Sequence, residues 1–75
     1  MDTKYWVSNE MFNQQRHAAA LALGMQEAFD RYTFTIEQQI GGAWRVVIPG
    51  EQPTPEIGAV LQTFVAGYGY GLLSI

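Results

Sequence analysis

The sequence predicts an α+β fold in the order helix, β-hairpin, helix and short C-terminal strand (α-β-β-α-β). A long stretch without proline repeats apolar residues every three to four positions, as a helix with one buried side does. Two runs rich in β-formers flank Gly41-Gly42, which indicates a hairpin. A Thr-Pro-Glu start then precedes a second apolar stripe, which is typical of a helix N-terminus. We expect residues 1–75 to form a single compact domain, because the chain is too short for two.

The first and longer helix is predicted from Asn9 to about Arg31, with Ser8 as its N-cap and Glu10 favourably placed near the positive helix end. Its apolar stripe contains Ala18, Leu21, Ala22, Met25, Ala28, Phe29 and Tyr32. Two small residues, Ala20 and Gly24, interrupt the polar side. Because a mid-helix glycine costs about 1 kcal/mol relative to alanine, they are either a tolerated exposed site or a flat contact for a second copy.

The hairpin is predicted to pair a strand at residues 32–40 with one at residues 43–48. A two-residue loop would mix polar and apolar side chains on each face of the hairpin. A three-residue loop, with Gly42 in the left-handed conformation, pairs Ile36 with Val46 and places Glu37 opposite Arg45 as an ion pair. Because a slip of one residue exchanges the two faces, we predict the three-residue loop.

The second, shorter helix is predicted to start with Thr54 as N-cap and Pro55 as the first helical residue. Its apolar stripe contains Ile57, Val60, Leu61, Phe64 and Val65. Gly67 is a suitable C-terminal stop. The uncharged residues 70–75 then leave room for a short third strand beside the hairpin.

The composition excludes several classes of site. With no cysteine and a single histidine, His17, the chain lacks disulfides, thiolate metal sites and multi-histidine sites. His17 falls on the polar side of the first helix without an activating carboxylate nearby in sequence, so no catalytic constellation is formed. We therefore expect no enzyme activity, no cofactor and no metal.

Charge and hydropathy narrow the choice of partner. Seven acidic and four scattered basic residues give a net charge of -3, whereas a nucleic-acid-binding module usually carries a basic stripe. No run approaches the roughly 18 apolar residues of a membrane span. The chain begins at Met1 without a secretory signal pattern, so we expect a complete, cytoplasmic gene product that contacts no membrane.

These exclusions favour a non-enzymatic protein that binds another protein. Small acidic chains of this size are often phage or mobile-element accessory proteins that inhibit or modulate a bacterial host protein, and we expect steric masking as the mechanism. The candidate binding residues are Trp6, Tyr68, Tyr70 and Leu73, because interface energy concentrates in large aromatic and apolar side chains.

The alternative hypothesis is a self-assembling structural subunit, a homodimer or higher homo-oligomer with contacts at Ala20 and Gly24 or along the C-terminal segment. A second alternative, a nucleic-acid-binding module, is disfavoured by the charge. Neither the partner nor the oligomeric state is defined by the sequence.

Overall fold

A computed structural model describes the backbone of residues 6–73 and the side chains of residues 6–68. In chain order it contains β1 (Trp6–Val7), α1 (Gln15–Ala28), β2 (Thr35–Gln38), β3 (Trp44–Ile48) and α2 (Pro55–Leu73). The predicted α+β class is confirmed, with two helices and a three-stranded antiparallel sheet. The predicted helix–hairpin–helix order is also present, but a strand precedes α1.

The sheet has β3 at its centre, with β1 and β2 at the two edges. β2 pairs with β3 in the predicted register, Ile36 opposite Val46 and Glu37 opposite Arg45. The predicted ion pair is not formed. The Glu37 carboxylate instead accepts a hydrogen bond from Gln39 Nε2 at 3.4 Å, and the buried Arg45 Nε has no hydrogen-bond partner among the described residues.

The predicted three-residue hairpin loop is confirmed. The Gln39 N–H donates to the Ala43 carbonyl at 2.7 Å and closes the loop. Gly41 and Gly42 both have positive φ angles, +101° and +98°. Since residues with a Cβ rarely adopt this conformation, both glycines are required by the turn.

The segment before α1 differs most from the prediction. A helix from Asn9 is wrong, because α1 begins at Gln15 and also ends earlier than expected. Phe12 instead exchanges two backbone hydrogen bonds with Trp44 of β3, at 2.8 and 2.7 Å. This bridge holds the segment beside β3, with a bulge between Ser8 and Phe12, and satisfies backbone groups that a helix would have used internally.

Ser8 consequently bonds to β3, just after the end of β1, and is not a helix cap. Its N–H donates to the Val46 carbonyl at 2.9 Å, and its Oγ accepts the Val46 N–H at 3.1 Å. The same hydroxyl donates to the Glu10 carbonyl at 3.0 Å. Ser8 is buried, so this side chain satisfies the backbone where β1 departs from regular pairing.

Both helices pack on the sheet face that carries Ile48 and Val46. Trp6 lies opposite Ile48, and Ile36 lies opposite Val46, so these side chains share that face. The main buried cluster consists of Trp6, Phe12, Ala18, Leu21, Ala22, Met25, Tyr32, Phe34, Val46, Ile48, Leu61 and Val65. Four residues of α1 confirm the predicted buried stripe, and Tyr32 is buried just beyond the helix. Phe29 is partly buried, whereas the prediction for Ala28 is wrong, because Ala28 is exposed.

The start of α2 agrees with the sequence, whereas its end does not. Thr54 Oγ1 accepts the Ile57 N–H at 3.3 Å, which confirms the predicted N-cap. The predicted stop at Gly67 is wrong, because α2 continues to Leu73 and is the longer helix. The C-terminal strand at residues 70–75 is therefore also wrong as far as Leu73; residues 74 and 75 lie outside the described part of the chain.

A contact explains why Gly67 does not end the helix. The ring of Tyr68 stacks on Phe64, one turn earlier, with centroids 5.8 Å apart, and it also covers Gly24 of α1. This packing favours helical backbone on both sides of Gly67. The helix-breaking preference of one glycine, about 1 kcal/mol, is small beside such contacts.

The Ser8 hydroxyl gives a test of the observed N-terminal pairing. Ser8→Ala removes the acceptor of the buried Val46 N–H, and we expect a loss of about 1–3 kcal/mol in the free energy of unfolding. Urea denaturation monitored by tryptophan fluorescence measures it. The exposed Asn13→Ala is the matched control and should change stability little; equal effects of the two variants would contradict the assignment.

Candidate functional site

The candidate binding residues from the sequence occupy different environments. Trp6 is only 6% exposed and belongs to the core, so its indole is not presented at the surface. Tyr68 lies on α2 and is 36% exposed. The backbone of Tyr70 and Leu73 also belongs to α2, but their side chains lie outside the described part of the structure.

The two candidate oligomer contacts lie on α1. Ala20 is half-buried. Gly24 faces α2 of the same chain, and a Cβ atom at this position would lie 3.0 Å from Cε2 of Tyr68. Gly24 therefore allows a close approach of α2 to α1, while contact of Ala20 with a second copy stays a prediction.

An apolar ridge runs along one side of α2. We call Ile57, Val60, Phe64 and Tyr68 the α2 ridge. Their spacing of three, four and four residues places them on the same side of a helix. Ile57 is 36% exposed and Val60 is 54% exposed. Large apolar side chains in a row on the surface mark a contact surface more often than scattered ones do.

Aromatic packing fixes the middle of the α2 ridge. Phe64 meets the ring of Phe29 edge to face, at 5.4 Å and 80°. On its other side it stacks nearly parallel to Tyr68, at 5.8 Å and 15°. Since Phe29 packs against the core, this chain of rings holds two ridge side chains in place before any partner arrives.

Hydrogen bonds on another side of α2 fix its rotation. The Gln62 amide donates to the Val7 carbonyl at 2.8 Å and accepts the Asn9 N–H at 2.8 Å. Leu61 and Val65 lie fully buried against the core. With these contacts made, the ridge side of the helix is directed away from β1 and partly toward solvent.

The α2 ridge carries no charge. Glu56, in the first turn, is the only charged residue in Pro55–Leu73, and its carboxylate lies near the positive end of the helix. Because a charged rim is absent along the rest of the helix, a binding surface for the ridge is expected to be apolar as well. Shape and apolar contact, rather than ion pairs, would determine recognition.

A second surface lies between α1 and the edge strand β2. An open groove of about 530 Å³ is lined on the helix by Ala19, Ala22 and Leu23, and on the strand side by Phe34 and Ile36. Leu23 is 69% exposed. An exposed leucine beside an apolar groove at a sheet edge is a feature that a further strand or helix can cover.

The side chain of Gln26 closes one end of this groove. Its Nε2 donates to the Tyr32 carbonyl at 2.6 Å, and its Oε1 accepts the Phe34 N–H at 2.9 Å. The amide therefore takes the place of a neighbouring strand at this point. Beyond it, the edge of β2 continues without such a cover from α1.

Among the described residues, no group of three or more His, Cys, Asp or Glu side chains is placed to hold a metal ion. His17 is half-buried on α1.

Within the described part of the chain, no helix has both the length and the apolar character that crossing a membrane requires.

Two features of these surfaces were missed in the sequence. The apolar stripe of α2 predicts a single core face, whereas Leu61 and Val65 are buried and Ile57 and Val60 are exposed. The absence of charge after Glu56 was the available signal, since a helix covered on one side normally carries charge on the other. Leu23, on the predicted polar side of α1, was a similar signal.

Comparison with protein-family models, with curated proteins and with solved structures finds no match to this chain.

The contact between α1 and α2 at Gly24 can be measured with a double-mutant cycle. In a Tyr68→Ala background, Gly24→Ala should stabilise the protein by up to about 1 kcal/mol through helix propensity. With Tyr68 present, the new methyl group meets the ring and the gain should shrink or reverse. Thermal unfolding of the four proteins gives the coupling; additive effects would show that the ring does not lie over Gly24 in solution.

Proposed function

We propose that this chain is a non-enzymatic protein that binds another protein through the α2 ridge. The observation that carries the proposal is the exposure of Ile57 and Val60 on a helix whose only charge is Glu56. In the folded chain these side chains have no complete cover. Removing them from water on a partner surface is favourable by roughly 25 cal/mol per Å² of apolar area.

The spacing of the ridge indicates the mode of binding. Side chains at such helical intervals act as anchors when an amphipathic helix lies in an apolar groove. The ridge is attached to a folded core through Phe29 and Gln62. Binding therefore costs little conformational entropy, because the helix is already ordered. The partner is therefore proposed to offer an apolar groove or a flat apolar helix face.

The mechanism that fits such a surface is steric masking. A rigid helix seated in a groove excludes the groove's other ligands without chemical change. We further propose that the target is a bacterial host protein and that the chain is an inhibitor of phage or mobile-element origin. Its small size and acidic net charge support this origin. The lack of cysteine supports action in the cytoplasm.

The ridge can be tested with two substitutions on α2. Val60→Glu places a charge in the middle of the ridge and should weaken partner binding at least about tenfold, because burying an unpaired carboxylate costs well over 1.4 kcal/mol. Thr63→Glu is the control, since Thr63 is exposed on the same helix and lies off the ridge. Affinity capture from bacterial lysate, followed by titration with the purified partner, measures both.

The expected result is one specific protein captured by the wild type and by Thr63→Glu, but not by Val60→Glu. Circular dichroism of both variants should be unchanged, since both positions are exposed. Recovery of no specific protein, or equal recovery with both variants, contradicts the proposal.

A further inference from the structure

A glutamine side chain from α2 covers part of the β1 edge of the sheet. Gln62 Nε2 donates to the Val7 carbonyl, and Gln62 Oε1 accepts the Asn9 N–H, both at 2.8 Å. The Ser8 N–H between them donates to Val46 on the other side, so the groups bound by Gln62 are those that point away from β3. One primary amide therefore binds two consecutive outward groups of this edge.

A glutamine from α1 binds the β2 edge in the same way. Gln26 Nε2 donates to the Tyr32 carbonyl at 2.6 Å, and Gln26 Oε1 accepts the Phe34 N–H at 2.9 Å. Because the Gln39 N–H bonds to Ala43 across the hairpin, alternate residues from Phe34 onward point away from β3. Each glutamine thus binds the outward carbonyl of one residue and the outward N–H of the residue two positions later.

This hydrogen-bond pattern is the one that a parallel strand makes. In a parallel pair, a residue donates its N–H to the carbonyl of residue i on the neighbouring strand and accepts the N–H of residue i+2. A glutamine amide presents a donor and an acceptor side by side at its end. Gln62 and Gln26 therefore each replace one residue of a parallel neighbour, at opposite edges of the same sheet.

We propose that Gln62 and Gln26 are edge guards, side chains that keep the sheet at three strands by occupying backbone groups that a further strand would need. An open sheet edge is a template for pairing with another chain, and proteins cover or shorten such edges for that reason. A strand that ran along β2 past Gln26 would have to displace its half-buried amide. The inference concerns the sheet alone and does not depend on the α2 ridge.

The β1 edge is also interrupted by a bulge, whereas the pairing of β2 is regular. After Asn9 the chain bulges before Phe12 returns to β3, and a bulge breaks the row of groups that a further strand would follow. β2 pairs with β3 without a bulge, and its outward groups continue from the Phe34 carbonyl to Gln38. Loss of Gln26 should therefore have a larger effect than loss of the guard on β1.

Support of α1 does not account for the Gln26 contacts. The helix is already attached to the core by buried apolar side chains, which are Ala18, Leu21, Ala22 and Met25. The Gln26 bonds instead satisfy a carbonyl and an N–H that would otherwise bond to water or to another chain. The groove beside them is apolar and Leu23 is exposed, so an unguarded edge would lie next to a surface that favours association.

Sedimentation velocity of the full chain, from low to high micromolar concentration, tests the guard on β2. Gln26→Met keeps a long, unbranched side chain with good helix propensity but removes both hydrogen bonds. The concentration at which this variant self-associates should fall roughly tenfold below that of the wild type, because two backbone groups become available to another chain. Gln15→Met, at an exposed glutamine of the same helix, is the matched control and should behave like the wild type.

Hydrogen exchange gives a local measurement of the same guard. At a concentration where the protein is monomeric, the Phe34 amide should exchange at least about tenfold faster in Gln26→Met than in the wild type. The Val46 amide, which bonds to Ser8 Oγ inside the sheet, should keep its protection in both proteins. This comparison separates an opened edge from general unfolding.

A second substitution locates the added association. Gln38→Pro removes one outward N–H of β2 and no bond to β3, so in the Gln26→Met background it should return self-association to the wild-type level. Gln62→Met should raise self-association less than Gln26→Met, because the bulge still interrupts the β1 edge. Circular dichroism checks each fold. Should Gln26→Met not fold, Gln26→Ala, with its higher helix propensity, replaces it in every comparison.

Three results would overturn the proposal. An unchanged Phe34 exchange rate would show that the Gln26 amide does not cover the edge. Faster exchange without added self-association would show that the edge needs no guard. Added self-association that persists with Gln38→Pro would place the new contact away from β2.

Discussion

The pairing of residues 6–12 with β3 is the constraint on which the rest of the fold depends. Ser8 and Phe12 bond to the outer side of β3, which leaves its other side for β2. The same pairing turns Trp6 into the core, where Gly58 of α2 lies against it. It also presents the Val7 carbonyl to α2, where the Gln62 side-chain amide binds it and fixes the rotation of the helix about its own axis. Without this strand, α2 would lose its lateral support and β3 its central place.

Because α1 lies between α2 and the β2 edge, it connects the two surfaces. One side of α1 meets α2 through Gly24, which has no side chain and lets the Tyr68 ring approach. The other side forms the wall of the groove with Ala22 and Leu23. A substitution that tilts α1 toward α2 would move it away from β2. Substitutions at exposed positions therefore change one surface at a time, whereas substitutions on the buried side of α1 affect both surfaces.

The sequence predicts those parts of the fold that local rules determine. The register of the hairpin followed from the alternation around Ile36, and the start of α2 from the cap at Thr54. The bridge of Phe12 to β3 is a non-local pairing that no local pattern encodes, so local rules predict helix for this segment. For the candidate surfaces, Tyr68 was identified by residue type. The exposure of Val60 was not, because periodicity shows that a helix has an apolar side but not how much of it the core covers.

The amount of apolar surface left uncovered is a consequence of size. A domain of this length buries only about 60% of the surface of its unfolded chain, and the described part of this chain leaves Leu23 and Val60 largely exposed. The α2 ridge and the groove beside β2 lie on different elements, so self-association through the groove would leave the α2 ridge exposed. Two ridges on one dimer would bind a multivalent or oligomeric target with avidity well beyond that of one ridge, provided their spacing matches. Self-assembly and target binding are thus compatible, and the first would strengthen the second.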